Sequence, residues 1–105
     1  MATVISGSGP AYVFLFIECL VTAGVKIGLD RDLALALSKE TIRGAVEMAK
    51  SATVSPEQLR REVTSPNGTT AAALSVLSGH NQLSDLITKA VTAAHQRAIE
   101  ISSYR

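Results

Sequence analysis

The chain has 105 residues, of which 47% are hydrophobic and 18% are charged, with a net charge of +1 and no tryptophan. Its length fits a single domain, which is expected to span residues 1–105. A composition this apolar leaves more apolar surface than a small monomer can bury, which indicates a partner domain, a second copy of the chain or a membrane. The basic residues are scattered, and Arg60–Arg61 is the one adjacent pair, so nucleic-acid binding is not expected.

Cys19 is the single cysteine, which excludes an internal disulfide. Because its neighbours are apolar, it is expected to be a small buried residue and not a reactive thiol. A free thiol is compatible with a cytoplasmic protein, which is the expected location. Residues 6–10 are small or polar and come before any apolar run, so a secretory signal peptide is not indicated.

The first predicted helix begins at Pro10 and runs to about Ile27, where Gly28 supplies a residue suited to the left-handed end of a helix. Residues 11–21 are apolar on nearly every side, but Glu18 lies in the middle of the run. A membrane span needs ~20 predominantly apolar residues, and a central charge is costly in lipid. The sequence therefore predicts a helix that is covered by protein, with no membrane as partner.

The second predicted helix is capped by Asp30 and ends near Ser51. Its apolar residues recur at roughly helical spacing: Leu33, Leu37, Ala45 and Met48. A short third helix is predicted from Ser55–Gln58, because this segment forms a capping box with proline at the first helical position.

Two further helices complete the predicted fold. After the turn signal at Pro66–Gly68, a helix begins at Thr69 or Thr70 and ends at Gly79. The last helix begins near Asn81 and carries one apolar stripe, formed by Leu83, Leu86, Ile87, Ala90, Val91, Ala94, Ala98 and Ile101. No stretch alternates with the period of a strand, so the expected fold is all-α, a bundle of about five helices.

Two groups of residues have a ligand-binding residue type but lack the rest of the pattern that a site needs. The glycines of Gly7–Gly9 lack the preceding strand, the third glycine and the later acid of a dinucleotide-binding segment, so they are expected to cap helices. His80 and His95 are too few to hold a metal, and both are expected at the surface. The chain alone is therefore expected to bind neither a nucleotide cofactor nor a metal.

Thr64–Thr70 is the segment with the most groups that could bind a ligand. Free backbone N–H groups at a helix start bind anions, and the hydroxyl groups of Ser65, Thr69 and Thr70 would add donors for a carboxylate. The alternative is that Thr69 or Thr70 caps its helix and does nothing more. From the residues alone, capping is the favoured interpretation.

Four segments occur together in the order and spacing of one enzyme family: Ser6–Tyr12 (SGSGPAY), Ala23–Leu29 (AGVKIGL), Gln58–Arg60 (QLR) and Val63–Thr70 (VTSPNGTT). Through them the chain resembles, over essentially its whole length, the C-terminal domain of pyrroline-5-carboxylate reductase. The last of the four segments is the most specific part of the resemblance.

The resemblance implies a fold, an activity and partners. The family reduces 1-pyrroline-5-carboxylate to L-proline with NADPH or NADH, which an N-terminal Rossmann domain holds. Its C-terminal domain is of the type found in 6-phosphogluconate-dehydrogenase-like reductases, a helical bundle that interlocks with its twin as a homodimer. The substrate lies between the nucleotide domain of one subunit and the helical domain of the other. The Rossmann domain is absent from these 105 residues, so the chain is expected to be inactive alone.

The resemblance also implies roles for single residues. Ser65, Gly68 and Thr69 match the family positions that bind the substrate carboxylate, and Thr70 matches the threonine beside the ring nitrogen. Thr70 is therefore the candidate catalytic residue as well as a substrate-binding one. Asn67 belongs to the same substrate-binding segment but departs from the family, which usually has glycine there. Asparagine tolerates left-handed backbone angles better than most residues, so the turn is expected to persist.

A second hypothesis is a free-standing, non-catalytic helical homodimerisation module. Both hypotheses account for the apolar first helix. The enzyme hypothesis alone accounts for a Ser-Pro-Asn-Gly-Thr-Thr loop directly before a helix.

Overall fold

The structure, a computed structural model, describes residues 1–103 and is helical. Its elements are α1 (Thr3–Ser6), α2 (Gly9–Lys26), α3 (Arg31–Ser51), α4 (Pro56–Glu62), α5 (Thr69–Ser78), a one-turn 3-10 helix (Gly79–Asn81) and α6 (Gln82–Ser103). No strand occurs among the described residues. The all-α prediction is confirmed, and the five predicted helices correspond to α2 through α6.

The chain forms two compact units, one spanning Gly9–Pro56 and the other combining Met1–Ser8 with Glu57–Arg105. In the first unit, α2 packs against α3. In the second unit, α6 contacts both α5 and the short α1. The expectation that residues 1–105 act as one domain stays a prediction.

The start of α3 follows from the cap that the sequence predicts. The side-chain carboxylate of Asp30 accepts hydrogen bonds from the N–H groups of Asp32 at 3.1 Å and Leu33 at 3.3 Å. The helix then runs to Ser51, as predicted. Because the cap satisfies donors that would otherwise have no partner, it contributes about 1 kcal/mol to the stability of the helix.

Small residues let α2 and α3 approach each other closely. A Cβ atom added to Gly24 would lie 3.2 Å from the Cβ of Ala34, which is itself only 2% exposed. Ser38 is also buried, and its hydroxyl group donates to the carbonyl oxygen of Ala34 at 2.7 Å. Gly28 has a φ of 111°, so the predicted left-handed position after α2 is confirmed.

Most of the large apolar side chains remain exposed. The chain exposes 8346 Å², whereas a folded monomer of its mass, 11.0 kDa, exposes about 5,600 Å². Phe14, Leu15 and Phe16 on α2 are all exposed. Cys19 is exposed too, so the prediction of a buried cysteine is wrong for the single chain.

One helical stretch, Thr3–Lys26, has the length and composition of a membrane span, and 11% of its most apolar window is buried inside the chain. Length and composition do not separate a span from the core helix of a soluble protein or from a signal sequence. The prediction that protein covers this helix therefore stays a prediction at this point.

Candidate anion-binding site

A tight turn joins α4 to α5. At the end of α4, the Thr64 hydroxyl group donates to the carbonyl oxygen of Arg60 at 2.6 Å. Beyond it, the N–H group of Gly68 donates to the carbonyl oxygen of Ser65 at 3.1 Å, and Asn67 has a φ of 61°. The predicted turn is confirmed, with the asparagine in the left-handed region.

The residue that caps α5 is Gly68, and neither Thr69 nor Thr70 does so. Its backbone is extended, with φ −89° and ψ −177°, and its carbonyl oxygen accepts the N–H group of Ala72 at 3.1 Å. Thr69 and Thr70 are the first two residues inside the helix. The interpretation that one of these threonines is the cap is therefore wrong, because the cap is a glycine without a side chain.

This arrangement leaves several hydrogen-bond donors free at one end of α5. The N–H groups of Thr69, Thr70 and Ala71 precede the first intrahelical bond, so they have no partner within the helix. The side chains of Ser65, Thr69 and Thr70 are exposed, and within residues 1–103 their hydroxyl groups make no hydrogen bond. The site thus presents backbone and hydroxyl donors at the positive end of a helix dipole.

The turn has little room for a larger residue at its cap. A Cβ atom added to Gly68 would lie 3.2 Å from the carbonyl oxygen of Ser65. Glycine therefore lets the chain close the turn while its backbone stays open to a ligand. An ion pair joins Arg61 to Glu57 at 2.6 Å on the exposed surface of α4. The turn itself offers an anion the free backbone and hydroxyl donors and the helix dipole.

Shifted pKa values occur away from this site. A hydrogen bond from Arg43, followed by its positive charge, holds the pKa of the Glu40 carboxyl below its usual value. The Arg43 Nε lies 3.0 Å from the Glu40 Oε2, and both side chains are exposed on α3. This pair is a surface contact within one helix, so the structure offers no reason to assign it a chemical role.

The remaining candidates give a mixed result. α2 begins at Gly9, which makes Pro10 its second residue, and Gly7 ends α1. His80 is exposed, as predicted, whereas His95 is half-buried, and its buried Nδ1 atom has no hydrogen-bond partner among residues 1–103. The prediction of a surface position for His95 is therefore met only in part. No group of three metal-ligating side chains occurs within the part of the chain that the structure describes.

The structure brings together all of the predicted site residues, Ser65, Asn67, Gly68, Thr69 and Thr70, because they are contiguous at one turn and helix start. Sequence reasoning missed Ala71, a half-buried residue whose N–H group is the third free donor of the helix. The signal that identifies it is the helix start, because the first N–H groups of any helix lack partners.

Fold and site together define a class of protein: an all-helical domain with exposed apolar helix faces and a donor-rich helix start suited to an anion. The family described as pyrroline-5-carboxylate reductase dimerisation matches residues 1–101. The chain belongs to this family. A dimerisation family also accounts for apolar faces that remain uncovered in the single chain.

Several curated relatives are named pyrroline-5-carboxylate reductase. The chain is 47% identical to the pyrroline-5-carboxylate reductase of Pseudomonas aeruginosa over 100 residues, which is 95% of this chain and 36% of that protein. The enzyme of Pisum sativum gives the same identity and the same coverage. The chain thus spans little more than a third of the length of these relatives.

Solved structures agree in fold. The pyrroline-5-carboxylate reductase of Coxiella burnetii matches with a TM-score of 0.88 and 46% identity over 93% of this chain and 36% of that chain. The pyrroline carboxylate reductase of Plasmodium falciparum, solved with NADP bound, matches with a TM-score of 0.86 and 46% identity over 91% of this chain and 38% of that chain.

Proposed function

We propose that the chain is the dimerisation and substrate-binding domain of a pyrroline-5-carboxylate reductase, which reduces 1-pyrroline-5-carboxylate to L-proline in proline biosynthesis. Family membership supports the reaction, and the free donors at the start of α5 support the place of binding. The observation that carries the proposal is a glycine-capped helix start with unpartnered N–H and hydroxyl groups beside it.

The substrate carboxylate binds at this helix start. The N–H groups of Thr69 and its neighbours point out of the helix, and the Ser65 hydroxyl group lies in the same turn. A carboxylate is favoured there by hydrogen bonds from several donors and by the helix dipole. The left-handed Asn67 and the small Gly68 keep the turn tight enough to leave the backbone accessible.

Thr70 acts on the ring nitrogen. It is the second residue of α5, it is exposed, and its hydroxyl group is not used to cap the helix. Electron density rises on the nitrogen as hydride reaches the imine carbon, so a donor aimed at that atom stabilises the transition state. Clamping the carboxylate a few atoms away fixes the ring relative to this donor.

The hydride comes from NADPH or NADH when the nucleotide is bound in the longer protein. Residues 1–103 contain no strand and so cannot form the strand, glycine-rich turn and helix that hold a dinucleotide. A Rossmann domain outside this chain therefore holds the nucleotide. The residues of this chain bind the substrate, orient it and donate to its nitrogen.

The protein works as a cytoplasmic homodimer without a membrane or nucleic-acid partner. The exposed apolar residues of α2, such as Phe14 and Phe16, are covered by a second copy of the chain. Obligate interfaces of this kind bury upwards of ~2,000 Å², and the excess surface of each chain, about 2,700 Å², is large enough to supply one.

The test is steady-state kinetics of the full-length protein with Ser65→Ala. A contact made equally to bound substrate and transition state gives a raised KM for 1-pyrroline-5-carboxylate and a nearly unchanged kcat. Ser75→Ala is the matched control, because the Ser75 hydroxyl group lies within α5, beyond the helix start, and donates to the carbonyl oxygen of Ala72 at 2.8 Å. Equal KM values for the two variants would contradict the assignment of the carboxylate site.

A further inference from the structure

The chain has two asparagines, Asn67 and Asn81, in closely similar surroundings. Both are exposed, and both have left-handed backbone angles, with φ of 61° and 57°. Asn67 lies two residues before the first residue of α5, and Asn81 directly precedes α6. In both places the N–H group of the next residue donates to a carbonyl oxygen three residues earlier. Asn81 is the last residue of the one-turn 3-10 helix, whereas Asn67 lies in a turn, and the next residue also differs: it is Gly68 in one case and Gln82 in the other.

This difference controls a reaction of the asparagine side chain. The backbone nitrogen of the following residue can attack the asparagine Cγ atom, forming a C–N bond and closing a five-membered imide ring. The bond from Cγ to the side-chain nitrogen breaks, and that nitrogen leaves as ammonia with the proton lost from the backbone amide. Water then opens the ring at either carbonyl, which gives aspartate or isoaspartate. A glycine presents no side chain to the closing ring, whereas Gln82 does.

We propose that Asn67 is a site of spontaneous deamidation, and that the carboxylate formed there weakens binding of a carboxylate ligand at the start of α5. Asn67 lies one residue before the helix cap, beside the free N–H groups of Thr69 and Thr70. A negative charge is stabilised at this end of the helix, so the new carboxylate interacts with the donors that a ligand needs. The same charge repels a second anion at close range.

The isoaspartate product has a further effect on the turn. It inserts one extra carbon into the backbone between residues 67 and 68, where the chain is closed by the hydrogen bond from Gly68 to Ser65. A longer backbone cannot keep this bond and the position of the cap together. The chemical step stands on the loop alone, and its effect on the ligand rests on the proposed function.

The chemical step is tested by ageing the full-length protein in mildly alkaline buffer and mapping its peptides by mass. The expected result is an amide-to-acid mass increase that accumulates faster at Asn67 than at Asn81, with both aspartate and isoaspartate at residue 67. Asn67→Gly keeps the left-handed turn and removes the reactive amide, so it should lose less activity on ageing, relative to its own fresh sample, than the parent protein. Equal rates at the two asparagines, or an intact Asn67, would overturn the proposal.

The effect on the ligand is tested with Asn67→Asp. We expect its KM for 1-pyrroline-5-carboxylate to rise by about tenfold with kcat nearly unchanged, as a like charge near the carboxylate requires. Asn81→Asp should leave KM unchanged, and melting temperatures show that both variants fold. An unchanged KM in Asn67→Asp would overturn the link to ligand binding. If Ser65→Ala also left KM unchanged, the proposed carboxylate site itself would fail, whereas the mass map would still report on deamidation.

Discussion

Replacing Phe14 by alanine should weaken the homodimer by an amount that follows from the exposure of this side chain. Phe14 is 63% exposed in the single chain. Full burial of a phenylalanine side chain contributes about 1.5–3 kcal/mol, so covering the exposed part contributes about 1–2 kcal/mol in each subunit. A two-fold symmetric interface contains the residue twice, which makes the loss about 2–4 kcal/mol per dimer.

This loss corresponds to a rise in the dimer dissociation constant of roughly 30-fold to 1,000-fold. Sedimentation equilibrium over a concentration series measures it directly. Phe14→Leu is the matched control, because it keeps an apolar side chain of similar reach and should weaken the dimer much less. Unchanged dimerisation of Phe14→Ala would contradict the assignment of this face of α2 to the interface. A monomeric, well-folded parent protein at micromolar concentration would refute the homodimer itself.

Two further predictions concern the cap of α3 and the nucleotide. Asp30→Ala removes the acceptor for the N–H groups of Asp32 and Leu33 and should lower the free energy of unfolding by about 1 kcal/mol. Asp30→Asn should retain most of this stability, and denaturant unfolding of the two variants measures the difference. Equal stabilities of Asp30→Ala and the parent would contradict the cap. The 105-residue chain by itself should show no binding of NADPH in a calorimetric titration, because its described residues lack a strand for a dinucleotide-binding unit, and saturable micromolar binding would reveal a nucleotide site within it.

The helix boundaries could be predicted where a local residue, such as a capping side chain or a glycine, determines where the helix starts or ends. Asp30 caps α3 as its sequence context indicates, and Gly28 takes the left-handed angle expected after α2. The sequence predicts that α5 starts at Thr69 or Thr70 but does not identify Gly68 as its cap, because a glycine has no side chain that could indicate capping. The short α1 was not predicted, since four residues are too few for a periodic pattern and its contact with α6 is non-local.

Burial was harder to predict than helix position. Cys19 lies in an apolar run, yet it is exposed in the single chain. This exposure could not be predicted, because an apolar sequence pattern does not distinguish a face buried within the chain from one that a second copy covers. His95 was expected at the surface, but the residue is half-buried and its Nδ1 atom is buried. The exposure of these two residues depends on contacts with distant parts of the structure, so the periodicity of the sequence cannot predict it.

The candidate site was the part most accessible from sequence, because its residues are contiguous. A turn signal followed by hydroxyl residues at a helix start is compatible with an anion site, but the residues alone favour helix capping, and the substrate-binding assignment comes from the family resemblance. What required the structure was the identity of the cap. With Gly68 as cap, the hydroxyl groups of Thr69 and Thr70 are free, and Ala71 joins the donors.

The central claim, that Thr70 donates to the substrate and does not serve the helix, is tested most directly by kinetics of Thr70→Ala and Thr70→Ser in the full-length protein. Loss of a transition-state donor should lower kcat/KM by about 10²-fold in the alanine variant, and serine, which keeps the hydroxyl group, should recover much of it. Melting temperatures of both variants should stay close to that of the parent, because Gly68 caps α5. A normal kcat/KM in Thr70→Ala, together with a lowered melting temperature, would show that the residue supports the helix only and would contradict the account.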